Sequence, residues 1–189
     1  MRSLSLKIEN VRRDLKSFSA EQEANAAVAI LLKPTDRDVE ILFVKRVENL
    51  QDPWSGQIAL PGGKKEPEDR DLKETVLRET LEETGINLLD RCSLLGVTDA
   101  IRCRINPEMK ILPFVFLVKH EPVIRLNMDE LKEYYWIPVE ELFRNECTVR
   151  FGSEKHRAFI IGDIKIWGLT FRILKNIFSR LNKHESTSS

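Results

Sequence analysis

The chain has 189 residues, 42% of them hydrophobic and 32% charged, which is enough for one domain with a sizeable core and terminal additions but too few for two full domains. Its 30 basic residues balance its 30 acidic ones, so the bulk electrostatics call for neither nucleic acid nor an anionic membrane, and a compact local site must carry the function. Cys92, Cys103 and Cys147 are far apart and form no CxxC pair, which argues against structural zinc; with no signal-like or membrane-length apolar run, this composition predicts a cytoplasmic protein.

Leu4, Ile8, Val11 and Leu15 recur at helical spacing and predict an amphipathic N-terminal helix within residues 1–22. Its apolar face is expected on the domain or on a partner subunit, the second case giving a homodimer. A single domain should then fill residues 23–183. Ala24 to Leu32 and Val39 to Arg46 are apolar runs of strand length, separated by a turn rich in charge with Pro34 and two aspartates. Glu48 to Gly56 is a polar loop, after which Ile58-Ala59-Leu60 leads into Pro61-Gly62-Gly63. Cys92 to Ala100 and Ile111 to Lys119 read as further strands, joined by a charged loop containing Pro107. Ile166, Leu169, Ile173 and Ile177 mark an apolar face on a helix over Ile164 to Leu181, and residues 184–189 are predicted to be a disordered tail.

The informative stretch is residues 62 to 86. On a helix, Leu72, Val76, Glu79 and Glu83 fall on one stripe, so two carboxylates stand where core side chains belong. An unpaired buried carboxylate is costly, so these must meet solvent or a cation. Glu82 adds a third charge, and three clustered oxygen donors suit Mg²⁺ or Mn²⁺. An ordinary solvated face, with Glu74–Arg78 and Arg78–Glu82 pairs, is the alternative. It does not account for Leu60-Pro61-Gly62-Gly63 before the helix, or for Arg78-Glu79-x-x-Glu82-Glu83-x-Gly85-Ile86 closing it on a glycine stop.

Together these residues resemble the Nudix box, the loop-helix-loop signature of Nudix pyrophosphohydrolases, of general pattern G-x5-E-x7-R-E-U-x-E-E-x-G-U. Two positions depart from it. The first acid falls on Asp69, eight residues rather than seven before Arg78, and Thr80 replaces an aliphatic residue. Both departures, with the lead-in from Gly62 to Leu72, resemble the coenzyme A pyrophosphatase-like branch. The resemblance extends over residues 25 to 180, taking in a late strand at Glu130 to Pro138, a short helix at Val139 to Phe143 and the start of the last helix at Ile166 to Thr170. It implies an α/β (α+β) fold, an α/β/α sandwich with a mixed sheet and helices at both ends.

The resemblance also implies roles. Glu79, Glu82 and Glu83 would be metal ligands, with Gly63 contributing a carbonyl and Asp69 a further acid either among the ligands or behind them, and Arg78 would orient a glutamate. The general base would be Glu82 or Glu83 within the box, or Glu130 outside it. Arg46 matches the first arginine of the upstream coenzyme A signature, but the threonine, serine and second arginine of that signature are missing. Gly62 and Lys64 would approach phosphate, and Trp54 is either a stacking platform for a base or a packing anchor. The implied activity is Mg²⁺-dependent hydrolysis of a nucleoside diphosphate linked to another moiety, with coenzyme A, nucleotide sugars and ADP-ribose as members of the class. A nucleoside triphosphate pyrophosphatase and a non-catalytic nucleotide-binding module remain as alternatives.

Overall fold

The computed structural model describes residues 2–19, 23–49, 54–151 and 154–181; the predicted tail and part of the loop before Trp54 lie outside them. Helix α1 (Arg2–Asp14) precedes strands β1 (Ala26–Pro34), β2 (Val39–Arg46), β3 (Ile58–Ala59) and β4 (Gly62–Lys64). Helices α2 (Leu72–Thr84) and α3 (Leu88–Arg91) follow, then β5 (Cys92–Val97), β6 (Ile101–Arg102), β7 (Lys110–Val118) and β8 (Leu131–Pro138). Helix α4 (Val139–Arg144), strands β9 (Glu146–Phe151), β10 (Glu154–Ile161) and β11 (Ile164–Trp167), and helix α5 (Gly168–Leu181) complete the chain.

Strand β1 is apolar on both faces because it lies inside the sheet. It pairs parallel with β7, from Ala26 opposite Ile111 to Leu32 opposite Leu117, and antiparallel with β2 and β4. Residues alternate between faces along a strand. Ala27, Ala29 and Leu31 pack with Leu72 and Val76 of α2, whereas Ile30 and Leu32 pack with Ile173, Leu174 and Phe178 of α5. Among the described residues, eight strands form this mixed sheet, with α2 on one side and α1, α4 and α5 on the other. The face of α1 predicted to lie on the domain or a partner subunit lies on the domain, where Ile8, Val11 and Leu15 join the core that α5 covers.

The helix predicted over Ile164 to Leu181 divides in two. Ile164–Trp167 is strand β11, which pairs antiparallel with β10, and helix begins only at Gly168. Ile166 is fully buried from that strand. Two apolar residues spaced by one fit the strand period, and a hairpin partner across Asp163-Gly162 decides between readings that the short segment leaves open. The 3-stranded sheet β11-β10-β9 is therefore not among the predicted elements.

Helix α2 stops at the glycine that its sequence predicts. The Asp71 carboxylate accepts the Glu74 N–H at 2.9 Å, and the Gly85 N–H reaches the Leu81 carbonyl at 2.8 Å. Within it Thr80 is fully buried, and its hydroxyl has no hydrogen-bond partner. A buried hydroxyl without a partner costs desolvation energy that an isosteric methyl avoids. Thr80→Val is expected to raise unfolding stability by about 1 kcal/mol in urea titration; a loss of stability would show that the hydroxyl is satisfied.

Candidate active site

The polar ends of several elements meet at one cleft of about 360 Å³. Arg46 enters from the end of β2, Gly62, Gly63 and Lys64 from β4, Glu79 and Glu83 from α2, and Glu130 from the residue before β8. The β2–β8 register shifts between Lys45 and Arg46, an irregularity that re-aims the side chain beside it.

Strand β4 can sit this close only because it is glycine. At Gly62, with φ of 139°, a Cβ would lie 2.2 Å from the Ala27 carbonyl oxygen. At Gly63 a Cβ would lie 2.4 Å from the Glu79 carboxylate. Backbone and carboxylate thus share a space that any side chain would fill.

The segment from Arg125 to Glu130 is tied to the end of α2 by its main chain. The Arg125 N–H donates to the Thr84 carbonyl at 2.8 Å and the Asn127 N–H to the Glu83 carbonyl at 2.9 Å. The Asn127 amide then donates to Glu130 Oε1 at 3.2 Å. Glu130, distant in sequence, is thereby set opposite the helix carboxylates.

Arg78 organises the helix side. Its Nε donates to Asp69 Oδ1 at 3.0 Å and its Nη2 to Asp69 Oδ2 at 2.9 Å, a two-point fork. Its Nη1 also meets Glu79 at 3.0 Å and Glu82 at 3.1 Å. Asp69 further accepts the Thr75 hydroxyl and the Glu66 N–H, each at 2.9 Å. The Arg78 guanidinium beside it holds the Asp69 carboxyl well below the usual carboxylate range despite burial. Asp69 is consequently the anchor of Arg78 and does not line the cleft, which places it behind the other acids, one of the two positions that the resemblance implies.

Glu82 is displaced from the expected cluster. It is more than half exposed and turns toward Arg78 at i,i+4, the nearest cation. Arg78 orients both Glu79 and Glu82, where a single glutamate was expected.

Glu83 is the opposite case, only 4% exposed, with the Gly62 N–H donating to its Oε2 at 2.8 Å. Burial pushes its carboxyl up to about 8 against the lowering effect of that bond, and Glu79 and Glu130 push the same way. Burial likewise raises Glu79, opposed by Arg78.

Among the described residues no three acidic, histidine or cysteine side chains converge as a ready-made metal cage. The donors at the cleft nevertheless fit a hard divalent ion. Glu79 and Glu83 both face it, Glu83 is buried and among the described residues makes no ion pair, and Mg²⁺ is commonly held by one or two carboxylates with water and substrate phosphate completing its shell.

Of the other candidates, Arg46, Trp54, Gly62, Gly63 and Lys64 line the cleft. Sequence reasoning missed its apolar wall, formed by Met109 before β7 and by Leu169 and Ile173 on α5, and it missed Asn127. Leu169 and Ile173 did carry a helical-spacing signal, which by itself indicates only burial.

This fold, with carboxylates and cations facing each other across a glycine-lined cleft, defines a hydrolase of diphosphate bonds. A family model described as NUDIX domain matches residues 23–158, and the chain belongs to that family. An uncharacterized protein of Schizosaccharomyces pombe is 33% identical over 62% of this chain, which spans 37% of the length of that relative. The human mitochondrial coenzyme A diphosphatase NUDT8 is 30% identical, covering 84% of this chain and 71% of its own. The crystal structure of a MutT protein from Methanosarcina mazei Go1 superposes with a TM-score of 0.54 at 24% identity, covering 89% of this chain and 99% of the other, and shows the same fold.

The raised Glu83 carboxyl has a stability consequence. Its proton is held more tightly in the folded protein than in the unfolded chain, whose carboxyl has the ordinary value of 4.5. In metal-free buffer this contribution is fully present below that value and is lost as pH rises toward about 8. Denaturant midpoints from pH 5 to pH 9 should therefore fall for the parent and fall much less for Glu83→Gln. Equal slopes would show that Glu83 does not hold its proton through burial.

Proposed function

We propose that the protein is a divalent-metal-dependent pyrophosphohydrolase that cleaves the diphosphate of a nucleoside diphosphate joined to a second moiety, with coenzyme A-like compounds within the class. The observation that carries this reading is the gathering, in one cleft, of the buried Glu83 and half-buried Glu79 with Arg46, Lys64 and the Gly62-Gly63 backbone. The name of the human relative, a coenzyme A diphosphatase, supports the choice of substrate class.

Glu79 and Glu83 would hold the metal beside the Gly63 backbone, and the bound ion would supply charge neutralisation at the diphosphate and a more acidic water. Arg46 and Lys64 would bind the phosphate oxygens and orient the scissile bond. Glu130 is the better candidate for general base, because Glu82 is turned to Arg78 and Glu83 is engaged by the Gly62 N–H. Held by Asn127, it would take the proton of the attacking water. Trp54 packs with Met109 and Leu169 against Ile111, so its ring belongs to an apolar wall on which a base could lie. Arg78 would act indirectly, by holding Glu79 in place.

The test is hydrolysis in Mg²⁺ or Mn²⁺ of a panel containing coenzyme A, ADP-ribose, NADH, nucleotide sugars, dinucleoside polyphosphates and dNTPs, followed by phosphorylated product. Turnover of at least one diphosphate-linked compound is expected, and Glu83→Gln should lose roughly a hundredfold or more in kcat while keeping its fold. Turnover confined to dNTPs would favour a triphosphate pyrophosphatase, and none at all a binding module.

A further inference from the structure

The apolar wall of the cleft is backed by an arginine cluster that the proposed reaction does not use. Arg102 and Arg104 flank the buried Cys103, and both are exposed. Cys103 packs with Ile111, Trp54, Met109 and Leu169, and its N–H donates to the Met109 carbonyl at 2.8 Å. The two arginines are thus fastened to the rim of the cleft.

From the opposite side comes Arg172, one helical turn beyond Leu169 on α5 and next to the cleft residue Ile173. Its Nη1 donates to the Arg102 carbonyl at 2.9 Å. Burial, and then the charge of Arg104, push the guanidinium below its ordinary value, while Cys103 opposes them weakly. Among the described residues neither Arg104 nor Arg172 has a carboxylate partner. The acid near Arg102 is Glu23, which Lys110 holds at 2.9 Å. Helix α5 adds to this field, because its first turn, which lines the cleft, contains no acidic residue.

Like charges gathered without a counter-charge oppose folding unless an anion balances them, and a guanidinium fork suits phosphate. The position beside the wall, away from the carboxylates, separates this anion from the diphosphate being cleaved. We infer that Arg102, Arg104 and Arg172 form a second anion subsite that binds a phosphomonoester carried by the non-reacting part of the substrate. This inference rests on the diphosphate hydrolase reading and narrows it to nucleoside diphosphates bearing an additional terminal phosphate.

Coenzyme A and 3′-dephospho-coenzyme A differ by one such group and form the test pair. The parent should prefer the phosphorylated member in kcat/KM by roughly tenfold to a hundredfold, the range expected for charge-assisted contacts to one group. Arg104→Gln and Arg172→Gln should each remove most of that preference by weakening the phosphorylated member alone. Arg104 is exposed and among the described residues makes no hydrogen bond, so its substitution tests the subsite even where Arg172→Gln disturbs α5. A parent without preference, or variants that weaken both compounds equally, would overturn the subsite and leave the hydrolase standing. Turnover of other diphosphates but of neither member has the same meaning, whereas no turnover of any compound removes both readings.

Discussion

The two-point bond between Arg78 and Asp69 is the interaction on which the site depends. It joins the loop before α2 to the middle of that helix, and the same guanidinium reaches Glu79, Glu82 and, at 3.4 Å, the Lys64 carbonyl of β4. Loop, helix and strand are thereby held by one planar group with fixed donor directions. Lysine could not replace it, since a single ammonium cannot present parallel donors to a carboxylate and still reach others. The Asp69 side chain is only 3% exposed, so removing Arg78 would leave a charge stranded away from water.

Around this clamp the cleft trades stability for chemistry. Glu83 is buried, Glu79 and Glu130 add to the repulsion it feels, and the charge of Arg46 offsets this only in part. Such a group opposes folding when ionised, and its cost is offset by the packing of Leu72 and Val76 three and two turns earlier on the same stripe. The glycines of β4 serve the same end, since they let backbone and carboxylate occupy adjoining space. Strain of this kind is characteristic of sites that await a ligand, and it sits on the rigid part of the molecule, where helix and sheet hold it.

Legibility in the sequence followed the range of the interactions involved. Strands β1, β2, β5 and β7 and helix α2 were readable because apolar periodicity and a glycine stop act over a few residues, whereas the Asp71 cap was not among the predicted features. Strand β11 was misread as helix because a short apolar segment satisfies either period until a partner strand is known. Within the site, Glu79, Glu83 and the glycine pair line the cleft, whereas Asp69 and Glu82 turn to Arg78. The pattern shows that acids are close in sequence, but it does not show which of them an arginine has already claimed.

The amino-acid sequence alone determined the family resemblance, the helix that bears the carboxylates and the identity of the residues able to meet phosphate, because these are properties of local spacing and side-chain chemistry. Tertiary structure decided how those residues are divided between clamp and cleft, the delivery of Glu130 through Asn127, and the convergence of Arg102 and Arg172 from distant segments. Those outcomes are competitions between charges brought together across the fold. No local pattern records them, since the winner is set by distance and burial that exist only once the sheet has assembled.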